Sequence, residues 1–121
     1  MSTIAIVEDS PATIDVIERV LRAADHRVVS FSDGVGIEDE LEKIQPELVL
    51  LDIIMPGRNG FEILRKLRKG AATAGIPVVL VSSKSEPHDI EWGMRQGATG
   101  YLPKPFSEED LISAVERALG R

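Results

Sequence analysis

Four apolar residues in succession, at positions 48–51, end on the carboxylate of Asp52, and a Pro-Gly pair follows at positions 56–57. A strand with apolar side chains on both faces is typical of a parallel sheet that is covered by helices on both sides. Ligands of open parallel sheets bind at the carboxyl ends of the strands. The run therefore predicts a buried strand that delivers Asp52 to a functional edge of a sheet.

Four more short runs have the composition of strands, and a stretch with helical spacing of apolar residues separates each run from the next. The predicted strands cover residues 3–7, 27–31, 77–82 and 100–102. The first predicted helix begins at Pro11 after a Ser10 cap, and the second is marked by Ile37, Leu41 and Ile44 and ends at Gln45-Pro46. The third begins near residues 59–60, the fourth runs from about 85–87 to Gly97, and the fifth begins with a capping box of Ser107 and Asp110. Strands that alternate with helices in this way predict an α/β fold, a doubly wound parallel sheet.

Length and composition fit a single domain over residues 1–121. The chain is 43% hydrophobic, which suffices for one core, and it contains no cysteine. Its 14 basic and 20 acidic residues give a net charge of −6, which argues against nucleic acid as the main partner. No apolar segment has the length of a membrane span, and the N-terminus does not have the pattern of a signal peptide. We therefore expect a cytoplasmic protein that binds neither nucleic acid nor membrane.

Polar side chains follow the predicted strands at their carboxyl ends. They are Glu8, Asp9, Asp52, Ser82 and Lys104. Because these ends meet at one edge of a parallel sheet, we expect three carboxylates, a hydroxyl and an ammonium in one place. Two like charges about 4 Å apart near a protein surface repel by roughly 4 kcal/mol, so the carboxylates need a counter-charge. Oxygen ligands with room for water favour Mg²⁺.

A carboxylate between Mg²⁺ and a lysine is arranged for nucleophilic attack on a phosphoryl group. We therefore hypothesise that Asp52 is a phosphoryl acceptor, that Lys104 supplies positive charge and that Ser82 hydrogen-bonds a phosphoryl oxygen. Each residue alone also has a structural explanation. Glu8 and Asp9 could be acids that stabilise a helix N-terminus, and Asp52 could be a turn residue. Ser82 could be a capping hydroxyl, and Lys104 could be an ordinary surface lysine. The joint pattern favours the site.

Other residues are explained more simply by structure. We expect Tyr101 to have a buried ring and a solvated hydroxyl. We expect Trp92 and Met94 to pack their helix against the rest of the protein. His26 and His88 lack the spacing of metal ligands, so we expect both at the surface. The four basic side chains between positions 65 and 69 are expected to be solvated charges that complement the dipole of the third helix.

The motifs together resemble the receiver domain of bacterial response regulators, of the chemotaxis CheY type. The matching stretches are Glu8-Asp9, LLDIIMPGRNG at residues 50–60, PVVLVS at 77–82 and GATGYLPKPF at 97–106. They cover the whole chain in the order and spacing of that family. The resemblance implies a flavodoxin-like (βα)5 fold with strand order 2-1-3-4-5.

The resemblance also implies roles at the sheet edge. Asp52 would take a phosphoryl group from the histidine of a sensor histidine kinase or a phosphotransfer protein. Glu8, Asp9 and Asp52 would bind Mg²⁺ together with the backbone carbonyl of Ile54. Lys104 would pair with the phosphoryl group, and its bond to the following proline would be cis.

Further roles implied by the resemblance concern the response. Ser82 and Tyr101 would form a switch pair, in which the hydroxyl moves towards the phosphoryl group and the ring turns inward. The face formed by the fourth helix, the fifth strand and the fifth helix, around Ile90, Met94 and Tyr101, would bind a downstream protein.

Two residues depart from the common pattern of the family. Glu8 stands where many members have aspartate, and its extra methylene puts the inner ligand set of the metal in doubt. Ser82 stands where threonine is common, and the hydroxyl is retained. Residues 91–98, EWGMRQGA, further resemble single-domain receivers of twitching-motility (type IV pilus) chemosensory systems.

The function expected is a signalling switch that phosphorylation activates by changing partner binding. The chain ends at Arg121, shortly after the last helix, so we expect it to act through a partner or as a phosphate sink. One alternative is a binding module of the same fold that does not depend on phosphorylation. Another is a phosphatase with an aspartate nucleophile, but Ile54 stands where such enzymes place an acid, so we expect no enzyme.

Overall fold

The computed structural model describes every residue, Met1–Arg121. Its strands and helices alternate strictly along the chain. The strands are β1 (Thr3–Val7), β2 (Arg27–Phe31), β3 (Leu48–Asp52), β4 (Val78–Ser82) and β5 (Gly100–Pro103). The helices are α1 (Pro11–Ala23), α2 (Ile37–Ile44), α3 (Gly60–Lys69), α4 (Pro87–Arg95) and α5 (Glu108–Ala118). The predicted order of elements is confirmed.

Three boundaries differ from the prediction. β4 begins at Val78 rather than Pro77, because proline has no N–H to donate to a neighbouring strand. β5 extends by one residue, to Pro103. α4 ends at Arg95, and Gly97 lies beyond it with a φ of 104°, a left-handed value that ends a helix and favours glycine.

The strands form one parallel sheet in the order β2-β1-β3-β4-β5, which confirms the flavodoxin-like topology. β3 lies at the centre of this sheet, between β1 and β4, and all its residues are buried. The register pairs Val7 with Leu51 and Asp52 with Val81. Because Val7 is the last residue of β1, this register sets Glu8 beside Asp52 at the carboxyl edge of the sheet.

The core consists of two layers on opposite faces of the sheet. Alternate residues of β3 point to opposite layers, so Val49 and Leu51 lie in one layer and Leu48 and Leu50 in the other. The first layer also contains apolar residues of α2 and α3, and the second contains residues of α1 and α5. This arrangement explains why β3 is apolar at successive positions. At about 25 cal/mol per Å² of apolar area removed from water, both layers stabilise the fold.

Helix capping follows the sequence closely. The Ser10 hydroxyl accepts the Thr13 N–H at 3.3 Å, with Pro11 in the first turn of α1. At α5, the Asp110 N–H donates to the Ser107 hydroxyl at 3.0 Å and the Ser107 N–H donates to the Asp110 carboxylate at 3.1 Å, which confirms the predicted capping box. None of the helices combines the length and the apolar character that crossing a bilayer requires.

Three expectations about single side chains are wrong. His26 is buried rather than at the surface, and its Nδ1 accepts the Ser2 N–H at 3.2 Å. Trp92 and Met94 are exposed rather than packed in the core. Gly93 is the only buried residue of α4. A sequence pattern places residues on a helix face, but it does not say which face a neighbouring element covers.

Arg68 also differs from its expected role as a solvated charge at the end of α3. Its guanidinium is partly buried and donates to the carbonyls of Gly97 at 2.9 Å, Ile76 at 2.8 Å and Ala74 at 3.2 Å. Burial lowers the pKa of Arg68 below its usual range. Arg68 therefore joins α3 to the segment before β4 and to the turn after α4.

Candidate functional site

Three carboxylates lie together at the carboxyl edge of the sheet, as predicted. One oxygen each of Glu8, Asp9 and Asp52 lies within 4.8 Å of the other two. Glu8 is 2% exposed and Asp52 is 5% exposed, whereas Asp9 is more open to solvent. Two of the three acids are therefore almost fully removed from water, an arrangement that needs nearby positive charge.

Lys104 supplies part of this positive charge. Its Nζ lies 2.8 Å from a Glu8 oxygen and 3.6 Å from an Asp52 oxygen. The Lys104 N–H donates to the Ser82 carbonyl at 2.8 Å, which fixes the start of the segment after β5. The bond from Lys104 to Pro105 is cis, as the family resemblance implied. Lys104 is thus closer to Glu8 than to the hypothesised acceptor.

The electrostatics of the pocket reflect this crowding. Burial, with a hydrogen bond and repulsion from Glu8, raises the pKa of Asp52 well above its usual range, against the opposing charge of Lys104. Burial disfavours the charged form of Lys104, but the hydrogen bond to Glu8 and the charges of both carboxylates raise its pKa. The pocket therefore holds more negative charge than its lysine neutralises.

The loop between β3 and α3 approaches Asp52 closely. The Ile54 N–H donates to Asp52 Oδ1 at 3.3 Å, and Ile54 is 53% exposed. Gly60 begins α3 directly against the strand, because a Cβ on Gly60 would stand 2.3 Å from the Asp52 carbonyl oxygen. Only glycine fits at this position. The metal-ligand role of the Ile54 carbonyl stays a prediction.

Ser82 and Tyr101 both contact Lys84. Ser82 is fully buried at the end of β4, and its hydroxyl accepts the Lys84 N–H at 3.0 Å. The Tyr101 hydroxyl donates to the Lys84 carbonyl, while its ring packs against the core layer of α2 and α3. Burial raises the pKa of the Tyr101 hydroxyl. The structure thus links the two predicted switch residues through one intermediate residue, which the sequence did not reveal.

The donor chemistry of the cluster fits a metal site. All three side chains offer carboxylate oxygens, which are the ligands of hard divalent cations, and their separation suits a single ion. The adjoining ammonium of Lys104 leaves one flank of Asp52 positively charged. Glu8, Asp9 and Asp52 could therefore hold a cation, with Asp52 shared between the ion and the lysine.

The predicted partner face is open at α4 and β5. Met94 is exposed, and Ile90 and Tyr101 are partly buried. A cavity of about 310 Å³ lies between β5 and α5, with Tyr101 and Arg117 among its lining residues. This face is accessible, but its role in binding stays a prediction.

Arg58, in the loop before α3, is a residue that sequence reasoning did not single out. Its guanidinium contacts carboxylates of Glu38 and Glu62 and the Gly34 carbonyl. An arginine four residues before a glutamate was a detectable signal for the contact with Glu62. The contacts with Glu38 and Gly34 join parts of the chain more than 19 residues apart and needed the tertiary structure.

The fold and this edge define a class of protein. A family model described as the response regulator receiver domain matches residues 4–116, so the chain belongs to that family and the predicted resemblance is confirmed. Receiver domains of this family take phosphoryl groups from histidine kinases and act on downstream targets.

Individual relatives place the chain more closely. It is 40% identical to Protein PilH of Pseudomonas aeruginosa over 119 residues, which cover 98% of either protein. It is 33% identical to the DNA-binding response regulator MtrA of Mycolicibacterium smegmatis, of which it spans only 50%. The receiver domain of the sensor histidine kinase PA1611 from Pseudomonas aeruginosa, solved with a magnesium ion coordinated in the active site cleft, is 28% identical. Its TM-score is 0.89, with 99% of this chain and 98% of that chain covered.

Proposed function

We propose that the chain is a phosphorylation-activated signalling switch in which Asp52 accepts a phosphoryl group with Mg²⁺ as cofactor. The observation that carries this proposal is the position of Asp52, which is buried, lies close to two other carboxylates and is 3.6 Å from the Lys104 ammonium. The donor is the phosphohistidine of a sensor histidine kinase or a phosphotransfer protein in the cytoplasm. Glu8, Asp9 and Asp52, with the Ile54 carbonyl, hold the metal.

The transfer requires one nucleophilic oxygen and a path for the leaving group. A carboxylate oxygen of Asp52 attacks phosphorus, and an oxygen–phosphorus bond forms as the bond from phosphorus to the donor nitrogen breaks. The electron pair of the broken bond stays on the imidazole nitrogen of the donor. Bound Mg²⁺ supplies positive charge that offsets the charge of the phosphoryl oxygens. Lys104 exchanges part of its contact with Glu8 for a phosphoryl oxygen.

The response begins at Ser82. A phosphoryl group on Asp52 adds negative charge and hydrogen-bond acceptors within reach of the end of β4. The Ser82 hydroxyl turns to donate to a phosphoryl oxygen and gives up the Lys84 N–H that it accepts at 3.0 Å. Because Tyr101 also holds Lys84, the change reaches β5 and α4, around Ile90, Met94 and Tyr101, where a downstream protein binds.

The proposed role is signalling rather than metabolic catalysis. Ile54 occupies the position two residues after Asp52, where a phosphatase with an aspartate nucleophile needs an acid to protonate the leaving group. Residues 91–98 and the match with PilH over 98% of both chains support a place among single-domain receivers of type IV pilus chemosensory systems. Output then comes from partner binding or from draining phosphoryl groups.

The test is direct phosphorylation. The protein is incubated with Mg²⁺ and a small-molecule phosphodonor, and the intact mass is measured. We expect the mass of one phosphoryl group in the wild type, none in Asp52→Asn, and an unchanged adduct in Asp39→Asn, which alters an exposed acid of α2. An adduct that survives in Asp52→Asn contradicts the proposed acceptor. Sustained turnover of a phosphomonoester favours the phosphatase instead.

A further inference from the structure

Arg58 makes a dense set of contacts for a residue in a surface loop. Its two terminal nitrogens donate to the two Glu38 oxygens at 2.8 and 2.6 Å, a bidentate pair. One of them also donates to the Gly34 carbonyl at 2.9 Å, and the other donates to Glu62 at 2.9 Å. The Arg58 side chain is only 18% exposed. Bidentate and partly shielded ion pairs are stronger than ordinary surface pairs.

These contacts anchor the loop between β3 and α3 at three places. Glu38 lies in the first turn of α2, Glu62 in the first turn of α3, and Gly34 in the segment before α2. Gly34 allows the approach, since a Cβ there would stand 3.2 and 3.3 Å from Arg58 side-chain carbons. Arg58 thus joins the loop to α2 through an ion pair.

The anchored loop is the one that contacts Asp52. Ile54 forms an antiparallel bridge with Asn59, the residue next to Arg58, and the Ile54 N–H donates to Asp52 Oδ1 at 3.3 Å. Between them, Pro56 and Gly57 are exposed, and Gly57 has a φ of 82°. The tip therefore has little packing of its own, and the loop is held by its two ends, by Met55, which is buried in the core layer of α2 and α3, and by Arg58.

We propose that Arg58 is a positioning residue for the phosphoryl-transfer site: by fastening the loop to Glu38, it holds Ile54 where its backbone groups face Asp52. This inference rests on the proposed function, because it assigns the loop to the same site. It adds a determinant outside the acid cluster, and it makes the first turn of α2 part of the support of the site. Preorganised groups lower the cost of binding and transfer because they do not have to be ordered at that moment.

The test compares Arg58→Met with Arg58→Lys, Glu38→Gln and a control, Arg65→Met, which removes an exposed arginine of α3. Three quantities are measured for each variant: the Mg²⁺ dissociation constant by calorimetry, the initial rate of phosphorylation by a small phosphodonor, and the melting temperature. We expect Arg58→Met to weaken Mg²⁺ binding and slow phosphorylation by about fivefold, within the range for loss of a charge-assisted contact. Glu38→Gln, which keeps an acceptor oxygen, and Arg58→Lys, which keeps the charge, should lose less.

The sign of the effect separates positioning from simple electrostatics. Loss of a positive charge near an acidic pocket strengthens Mg²⁺ binding by itself, and Arg65→Met controls for this. A melting temperature that falls in Arg58→Met while the dissociation constant and the rate stay at wild-type values would overturn the inference, because Arg58 would then be purely structural. If Arg58→Met does not fold, Arg58→Lys, which keeps the positive charge but not the bidentate pair, decides by the same comparison. A wild type that binds Mg²⁺ but forms no adduct on Asp52 contradicts the proposed function. In that case the Mg²⁺ dissociation constants of the wild type and the Arg58 variants still test whether Arg58 positions the loop.

Discussion

At the scale of single residues, Asp52 is placed where its own charge is costly. The carboxylate is 5% exposed, lies beside buried Glu8, and is only partly compensated by Lys104 at 3.6 Å. Burial and the neighbouring acid raise the pKa of Asp52, which means that the folded chain disfavours the ionised form. A divalent cation removes this penalty, so the feature that weakens the fold is also the one that favours metal binding.

A stability measurement follows from this crowding. Saturating Mg²⁺ should raise the melting temperature of the wild type, since a ligand at about 100 times its dissociation constant stabilises by about 2.7 kcal/mol. The gain should shrink strongly in Asp52→Asn and Asp9→Asn, which each remove a carboxylate from the cluster. Asp39→Asn should keep the full gain. A gain of equal size in all four proteins, measured by calorimetry with and without chelator, would show that Mg²⁺ binds elsewhere.

At the scale of elements, the site depends on how closely α3 begins against β3. The Gly60 N–H donates to the Ile53 carbonyl at 2.8 Å, so the chain reverses within a few residues of Asp52. The Asn59 side chain accepts the Phe61 N–H at 2.7 Å and caps the helix at the same point. The start of α3 thus fixes the path of the loop that carries Ile54.

Gly60→Ala tests this close approach. Its new methyl group would meet the Asp52 carbonyl oxygen at 2.3 Å and the Ile53 Cα at 2.8 Å, both backbone atoms that cannot turn aside. We expect the free energy of unfolding to fall by about 3 kcal/mol, the cost of overpacking a rigid site. The matched control is Gly75→Ala, whose methyl group meets nothing within 4 Å. Equal urea-unfolding midpoints for the two variants would contradict the packing argument.

At the scale of the whole molecule, the sheet edge connects Asp52, the proposed acceptor, with the surface of α4. Ser82 and Tyr101 meet at Lys84, and Lys84 lines a cavity of about 480 Å³ together with Phe61 and Trp92. We therefore expect a change at Asp52 that moves Ser82 to alter the surroundings of α4. Closely packed contacts of this kind switch between distinct arrangements, because packed protein interiors deform little.

Trp92 offers a direct readout of that connection, since it is the only tryptophan in the chain and it is exposed on α4. Adding Mg²⁺ and a phosphodonor should change its fluorescence intensity or emission maximum in the wild type. Tyr101→Phe, which removes the hydroxyl bond to the Lys84 carbonyl, should reduce the change. If Asp52→Asn gives the same change as the wild type, the signal does not arise from phosphorylation.

Much of this architecture was predictable because it is encoded locally. The spacing of apolar residues, the proline and glycine positions and the capping box predicted the five strands and five helices with few boundary errors. The alternation of strands and helices then predicted a parallel sheet, and the strand ends brought Glu8, Asp9, Asp52, Ser82 and Lys104 to one edge. The family motifs added the strand order and the cis bond before Pro105, both of which the structure has.

The sequence by itself thus determined the elements, the class of fold and the chemical character of the edge, because these depend on residues close together in the chain. Only the tertiary structure decided that Lys104 lies nearer to Glu8 than to Asp52, that Lys84 joins Ser82 to Tyr101, and that Arg58 fastens the loop to Glu38. It also decided that His26 is buried and that Arg68 binds carbonyls. These contacts join residues that are far apart in sequence, and their distances follow from strand register and helix packing, which local patterns do not specify.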